Sequence, residues 1–337
     1  MLLGFDIGGT KCAIVLGNQI NNNLSIHTKR IFPTNKPPYQ MIETLFTEAE
    51  SLLAEEQVML NQIKGIGISC GGPLNSRQGI IVAPPNLPGW INIPIVSLSE
   101  QRFGIKTFLQ NDANACAVAE WKYGAGKGHE NLIFLTFGTG MGAGLILNNQ
   151  LYSGTHDLAG EIGHLRLSET GPVGFGKAGS FEGWCSGGGL AQIAQMKVRE
   201  KIQIGEKVSF CASLDELPFL TAKKVAEAAY AGDTLAKEIY RICGSYLGRG
   251  LSLLIDILNP QLIILGSIFG RTQDLLVPYM NEIIQQEAIS DSFKGCRIVP
   301  AGLKEDIGDM AALSLAVIAS VEKATGEGIL EHQYTNK

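Results

Sequence analysis

Gly4-Phe5-Asp6-Ile7-Gly8-Gly9-Thr10-Lys11 is the stretch that decides how this chain starts to fold. Apolar runs of strand length, at residues 2–5 and 12–16, flank its short glycine turn, which reads as the turn of a hairpin. Glycine has no Cβ, and phosphate oxygens can therefore approach the Gly8 and Gly9 amides closely. Thr10 and Lys11 add a hydroxyl and a cation. Asp6, at the strand end, can hold Mg2+ directly or through water. A plain tight hairpin fits the same residues, and this stretch alone leaves both readings open.

A second turn of the same kind follows a buried-strand pattern at residues 132–137. It reads Gly138-Thr139-Gly140-Met141-Gly142-Ala143-Gly144 and leads into another apolar run, 145–147. Residues 138–143 match G-x-G-x-x-A, but a dinucleotide fingerprint needs a helix directly after the turn. Here Asn148-Asn149 punctuates a second hairpin instead. The pattern G-x-x-x-x-G-K-[ST] is absent. Two strand-glycine-strand phosphate turns remain, a domain's length apart, and neither is a Rossmann site.

At 337 residues the chain is long for one core, which predicts two domains. Its 45% hydrophobic and 18% charged residues describe a well-buried globular protein. The net charge of −5 comes with no lysine or arginine run, so no nucleic-acid footprint is expected. The seven cysteines form no C-x-x-C pair, and an odd number argues against a complete disulfide framework. Cys12, Cys70, Cys116 and Cys243 read as small reduced core residues, which points to the cytoplasm. Asp6 interrupts the one apolar N-terminal stretch, so no signal peptide is expected. Asp256, Asn259 and Pro260 break the longest apolar run, 251–265, and no membrane span is expected.

Strands and helices alternate, the pattern of an α/β fold. Beyond the first hairpin, strands are predicted over 24–32, 63–68 and 105–109, and helices over about 39–60 and 113–123. A first domain spanning 1–112 is expected. The second, 113–305, contains a glycine-rich region of little periodicity over about 155–189, and such long loops are usually functional or disordered. Helices over 188–200, 221–231 and 234–258 follow, the last broken by Asn259-Pro260, and then a strand over 262–265. A closing helix over about 306–323 is predicted to pack back on the first domain, ahead of a polar tail, 324–337.

Asn111-Asp112 falls where a strand gives way to a helix. An aspartate there can be an N-cap, worth roughly 1 kcal/mol. It can equally be the general base that takes a proton from a substrate hydroxyl during phosphoryl transfer, with Asn111 holding a neighbouring hydroxyl. Glu161 and His164 stand in Gly160-Glu161-Ile162-Gly163-His164, and Glu182 in Glu182-Gly183-Trp184-Cys185-Ser186-Gly187. These acceptors and donors suit a ring of sugar hydroxyls, although His164 alone also fits a structural role. Asn86, set among prolines in Pro84-Pro85-Asn86-Leu87-Pro88, is a polar amide for the same ring or ordinary turn chemistry. No Ser/His/Asp triad and no glycosidase carboxylate pair can be assembled.

The ordered set Asp6-x-Gly8-Gly9-Thr10-Lys11, Pro85-Asn86-Leu87, Asn111-Asp112-x-Asn114, Gly138-Thr139-Gly140-x-Gly142, Gly160-Glu161-x-Gly163-His164, Glu182-x-x-x-Ser186-Gly187 and Asn259-Pro260 resembles the ROK sugar kinases. Each motif is weak, and the set in this order is specific. The resemblance implies an actin-like ATPase (ribonuclease H-like) fold of two α/β domains with a cleft between them. It implies ATP and Mg2+ as cosubstrates, a sugar 6-hydroxyl as acceptor, and a homodimer. By this likeness Asp112 is the base, while Gly72, Asn86, Asn111, Glu161, His164 and Glu182 surround the sugar. Asp6, Gly8, Gly9, Thr10 and Lys11, with Gly138, Thr139 and Gly140, hold phosphates and metal. Gly266 and the stretch Ala231-Gly232-Asp233 lie near the nucleoside.

The chain departs from the family in one large respect. Family members commonly bind a structural zinc through a His and the thiolates of C-x-C-G-x-x-G-C, and Val173, Phe175 and Ser180 stand in those places here. One imidazole cannot replace four ligands, so no zinc is expected. Val173 and Phe175 are expected to pack the loop by apolar contact instead. Ser267, in Gly266-Ser267-Ile268-Phe269, replaces part of a glycine triplet. The leading expectation is an ATP-dependent kinase of a hexose or N-acylhexosamine. The alternatives are a sugar-sensing transcriptional regulator or a non-catalytic sugar-binding protein of the same family. Regulators carry a helix-turn-helix upstream, whereas the phosphate turn here starts at Asp6.

Overall fold

A computed structural model describes residues 1–21 and 23–325, so the tail from residue 326 lies outside the described residues. The chain divides into two compact units. The first takes in Met1–Lys127, Leu151–Ala159 and the described chain from Glu305 to Thr325; the second takes in Gly128–Gln150 and Gly160–Lys304.

In the first unit, β1 (Leu2–Ile7) and β2 (Lys11–Ile20) form the expected hairpin, with Ile7 opposite Cys12. β3 (Asn23–Pro33) continues the antiparallel ribbon past an irregularity at Leu16/Gly17. Helix α1 (Pro38–Glu55) follows and stops short of the expected residue 60, at Glu56 and a left-handed Gln57. β4 (Ile66–Cys70) returns parallel to β1 and sets Ser69 beside Asp6. A small hairpin, β5 (Leu74–Asn75) with β6 (Ile80–Ile81), precedes α2 (Ile95–Phe103), a helix the apolar pattern did not reveal. β7 (Thr107–Asn111) lies parallel to β4 and runs directly into α3 (Asp112–Tyr123). The sheet order is β3-β2-β1-β4-β7.

Met41, Leu45, Phe46, Ala49, Leu52 and Leu53 recur at helical spacing on α1 and are buried. Phe46 meets Phe5 at 6.0 Å and Phe103 at 5.2 Å between ring centroids. Each such side chain contributes about 1.5–3 kcal/mol on burial. The final helix, Ile307–Thr325, packs against β1, β4 and α3 of the same unit. Small residues let it approach closely: a Cβ on Gly67 of β4 would stand 2.1 Å from the Ala312 carbonyl oxygen. That approach brings the start of the helix to the end of β1.

The second unit is built on β8 (Leu132–Leu135), with β9 (Ala143–Leu147) antiparallel to it, and β10 (Gln150–Tyr152) continues that sheet where the chain leaves the unit at Gln150. Asn148 and Asn149 turn that hairpin at φ 51° and 60°, the left-handed pair that suits the twist of the strands. The region over 155–189 is more ordered than its composition suggests. It holds a 3-10 turn at Ile162–His164, a hairpin of β11 (Val173–Gly174) and β12 (Lys177–Ala178), and the short α4 (Phe181–Trp184). Helices α5 (Gly187–Gln203), α6 (Ala222–Tyr230) and α7 (Thr234–Leu258) follow. β13 (Leu262–Leu265) lies parallel to β8, and β14 (Arg297–Pro300) parallel to β13. Between these two strands stand α8 (Ile268–Glu287) and the short α9 (Ser290–Lys294). Helix α8 was not expected. Pro278 lies inside it and Thr272 departs from helical geometry at φ −136°, so local propensity argues against a helix that packing on α7 sustains.

Candidate active site

The first unit gathers its polar residues at the carboxyl ends of β1, β4 and β7. Asp6 is half-buried one residue from the end of β1 and accepts a hydrogen bond from Ser69. Burial, then the carboxylates of Asp112 and Asp309, push its pKa up to about 6 against the opposing pull of Lys11. Asp309 is buried in the first turn of the final helix, where Lys29 donates to it at 2.6 Å. Neither Asp309 nor Ser69 was picked out from the sequence. An acidic residue opening an apolar helix was the only signal for the first, and strand register alone reveals the second.

Asn111, not Asp112, caps α3: its Oδ1 accepts the Ala113 N–H at 2.9 Å and the Asn114 N–H at 3.4 Å. Asp112 is the first helical residue, and its carboxylate accepts from Ala113 N–H at 2.8 Å. Water reaches the Asp112 side chain, yet protein crowds the carboxylate closely, and that lost hydration raises its pKa. Beneath it, the buried Gln110 Oε1 accepts the Asn111 N–H at 2.7 Å and Asn114 Nδ2 at 3.2 Å, which holds the strand-to-helix junction in place.

The phosphate-type turn lies against the same group. Gly8 N–H donates to the Lys11 carbonyl at 3.0 Å, closing the turn, and Thr10 and Lys11 are exposed. A Cβ on Gly9 would fall 2.2 Å from the Asn86 carbonyl oxygen, so only a bare residue lets the exposed Asn86 come this close. Gly72 is less tightly placed: its Cβ would stand 3.1 Å from the Asn111 side-chain Nδ2. The first unit thus brings together Asp6, Gly8, Gly9, Thr10, Lys11, Gly72, Asn86, Asn111 and Asp112.

The second unit gathers the rest. Thr136 ties off the turn after β8, accepting the Gly142 N–H on its hydroxyl at 2.8 Å, and Thr139 is exposed at the tip. Glu182 Oε2 accepts the Met141 N–H at 3.0 Å. Gly187 N–H donates to the Gly138 carbonyl at 2.7 Å. The Gly160 carbonyl accepts from Ala143 N–H at 2.9 Å and starts the turn that carries the exposed Glu161 and the half-buried His164. Gly266 N–H donates to Leu135 O at 2.9 Å and Ile268 N–H to Phe137 O at 3.0 Å, so Gly266 and Ser267 adjoin the turn. Asp233 caps α7 through Ala236 N–H, and the neighbouring Tyr230 hydroxyl donates to Asp274 of α8 at 2.7 Å.

The expected apolar packing of Val173 and Phe175 is not what holds the loop. Both are exposed, at 47% and 64%, because a hairpin of such short strands has no interior in which to enclose them. Phe175 instead sets its ring edge-on to His164 at 5.0 Å. Polar bonds carry the rest. Gln192 accepts from Val173 N–H at 2.8 Å and donates to its carbonyl at 2.9 Å, and Lys177 donates to the His164 carbonyl at 2.7 Å. Ser180 is buried and caps α4 through Gly183 N–H. Among the described residues no group of three or more His, Cys, Asp or Glu is placed to hold a metal ion. No described helix is long and apolar enough to cross a membrane. All seven cysteines are free and buried.

Comparison with known proteins adds a family match over residues 2–318, to the ROK family. A glucokinase of Streptomyces coelicolor is 29% identical over 319 residues, which are 94% of this chain and 97% of that one. A xylose repressor of Caldicellulosiruptor bescii is 25% identical over 94% of this chain and 78% of its own length. Among solved structures, a ROK family glucokinase from Streptomyces griseus in complex with glucose and AMPPNP superposes with a TM-score of 0.73. It is 27% identical, with 94% of this chain and 99% of that chain covered.

Proposed function

The chain belongs to the ROK family and has its actin-like ATPase fold, and on that premise we propose that it is an ATP-dependent sugar kinase. It transfers the γ-phosphoryl group of ATP to a hydroxyl, the 6-hydroxyl by family likeness, of a hexose or N-acylhexosamine. The observation that carries the reading is the state of Asp112. Asn111 takes over the helix cap, and crowding raises the pKa of a carboxylate that water still reaches. Such a group is a stronger base than an ordinary aspartate, and it accepts the hydroxyl proton as the P–O bond forms.

Gly8, Gly9, Thr10, Lys11, Gly138, Thr139 and Gly140 hold the phosphates, and Gly266 adjoins the nucleoside. Gly72, Asn86, Asn111, Glu161, His164 and Glu182 bind the sugar. The chemistry of Asp6 suits Mg2+: the neighbouring carboxylates of Asp112 and Asp309 burden its own charge. With few protein ligands nearby, a magnesium ion there would complete its shell with water and phosphate oxygens. When bound, the ion neutralises charge on the transferring phosphoryl group. Nothing in the loop over 173–180 calls for zinc. A cytoplasmic homodimer accompanies this reading, and sedimentation tests the dimer.

The test is ADP release, coupled to an optical readout, across a panel of hexoses and N-acetylhexosamines with MgATP. Turnover with at least one sugar that is lost in Asp112→Asn is the expected result. Similarity to a xylose repressor over 94% of the chain favours a second reading, a sugar-sensing regulator. Sequence-specific DNA binding without turnover would establish that reading instead. Sugar binding with neither would mark a non-catalytic member.

A further inference from the structure

Glu182 touches a part of the second unit that its place in the sequence does not suggest. It lies in the first turn of α4 and is half-buried, and its Oε2 accepts the amide N–H of Met141, 41 residues earlier, at 3.0 Å. Met141 follows directly on the turn Gly138-Thr139-Gly140. A Cβ on Gly140 would stand 2.7 Å from that same oxygen, so a side chain at residue 140 would push the carboxylate aside. One oxygen of this carboxylate orients a backbone amide of the turn, and the other, Oε1, accepts from none of the described residues. A sugar hydroxyl has the chemistry to donate to it.

The surrounding segments tighten the same link. Gly187 and Gly188, just past Glu182, donate to the carbonyls of Gly138 and Thr139 at 2.7 and 3.5 Å. On the other side, Gly163, from the turn that carries His164, is packed so that a Cβ would meet the Met141 carbonyl oxygen at 2.3 Å. The elements assigned to the sugar and the turn assigned to phosphate therefore share one hydrogen-bonded body, and Glu182 is the side chain common to both.

We propose that Glu182 couples the two ligands: a sugar hydroxyl on Oε1 holds the carboxylate in the rotamer in which Oε2 orients the Met141 amide, and sugar binding thereby tightens nucleotide binding. The proposal rests on the sugar-kinase reading and adds to it a defined thermodynamic link. The ordering of this carboxylate and of the turn is needed for either ligand, and the first to bind spares the second that cost. Linkage makes the effect reciprocal, with one factor for both directions. Glu182 is thus a positioning residue for the turn as well as a ligand of the sugar.

Calorimetric titration of the full chain tests this with glucose as the sugar probe and Mg–AMPPNP as the nucleotide probe, each titrated alone and with the other saturating. The wild-type protein should show one common factor of at least about 5-fold in both directions. In Glu182→Ala the factor should fall close to one at an unchanged melting temperature. In Glu182→Gln, which keeps a carbonyl oxygen for the Met141 amide and the side-chain volume, it should lie between the two. A merely structural role would weaken each ligand and leave the factor as it was. Independent binding of both ligands to the wild type overturns the coupling and leaves the kinase reading intact. So does a factor that survives undiminished in both variants. If neither ligand binds the wild type, the coupling and the kinase reading fall together.

Discussion

Replacing Asp6 with asparagine should make the ligand-free protein more stable at neutral pH while removing its function. Burial and the neighbouring Asp112 and Asp309 carboxylates raise the Asp6 pKa from 3.8 to about 6. In the native state the carboxyl therefore keeps its proton up to about pH 6, whereas the unfolded chain releases it near 3.8. Native protein binds more protons than unfolded protein across that window, so stability from this group is present below it and is lost as pH rises through it. At ~1.4 kcal/mol per pH unit the displacement corresponds to about 3 kcal/mol above the window. Water reaching the half-buried side chain reduces this to about 1–2 kcal/mol. The substituted amide never ionises, and it keeps an oxygen for the Ser69 hydroxyl. Asp6→Asn should therefore unfold about 2–6 °C higher than the wild type at about pH 8, with the gap closing near pH 4. Differential scanning fluorimetry over that range reads it, supported by urea titrations at both ends. Mg2+ with AMPPNP should raise the wild-type melting temperature more than that of the variant. A gap that does not change with pH, or a variant less stable at the alkaline end, would refute the picture of Asp6 as a burdened carboxylate.

Other perturbations test the remaining parts. Asp112→Asn or Asp112→Ala should lower turnover by about 10²–10⁴-fold with nucleotide affinity preserved and a melting temperature no lower than that of the wild type; near-normal turnover would remove it as the base. Because crowding raises the Asp112 pKa, the acid limb of the wild-type rate profile should lie above the ordinary aspartate range, and a limb at or below that range would contradict the assignment. Gly9→Ala should disrupt the first turn, since its Cβ would fall 2.2 Å from the Asn86 carbonyl oxygen, and full activity in that variant would show that the contact yields easily. Ser180→Ala should cost about 1–2 kcal/mol through loss of the buried α4 cap, measured by urea unfolding. Phe175→Ala should leave stability nearly unchanged, because the ring is 64% exposed, yet raise the sugar KM through a freer His164; an unchanged KM would mean the ring contact has no role. Metal analysis of purified protein should find less than one zinc per chain, and stoichiometric zinc would overturn the reading of the loop over 173–180.

Elements written in local patterns could be read before any coordinates. Helix α7 is an example: Asp233 caps it, apolar residues recur along it, and Asn259-Pro260 ends it, so its bounds of 234 and 258 follow from neighbouring residues alone. The two glycine turns and the Asn111-Asp112 junction were legible for the same reason, because a turn or a cap is a matter of a few consecutive backbone groups. Helix α8 was hidden because Pro278 and the break at Thr272 oppose it locally, and only the long-range packing on α7 outweighs them. The carboxylate pairing of Asp6 with Asp309, the ion pair from Lys29 to Asp309, and the reach of Glu182 to Met141 span from 41 to about 300 residues of chain. Contacts of that kind depend on strand register and on how closely helices approach a sheet, and these are properties of the packed core. Residue types therefore announced phosphate and hydroxyl chemistry, while packing chose which carboxylate is burdened, which caps a helix and which orients the turn.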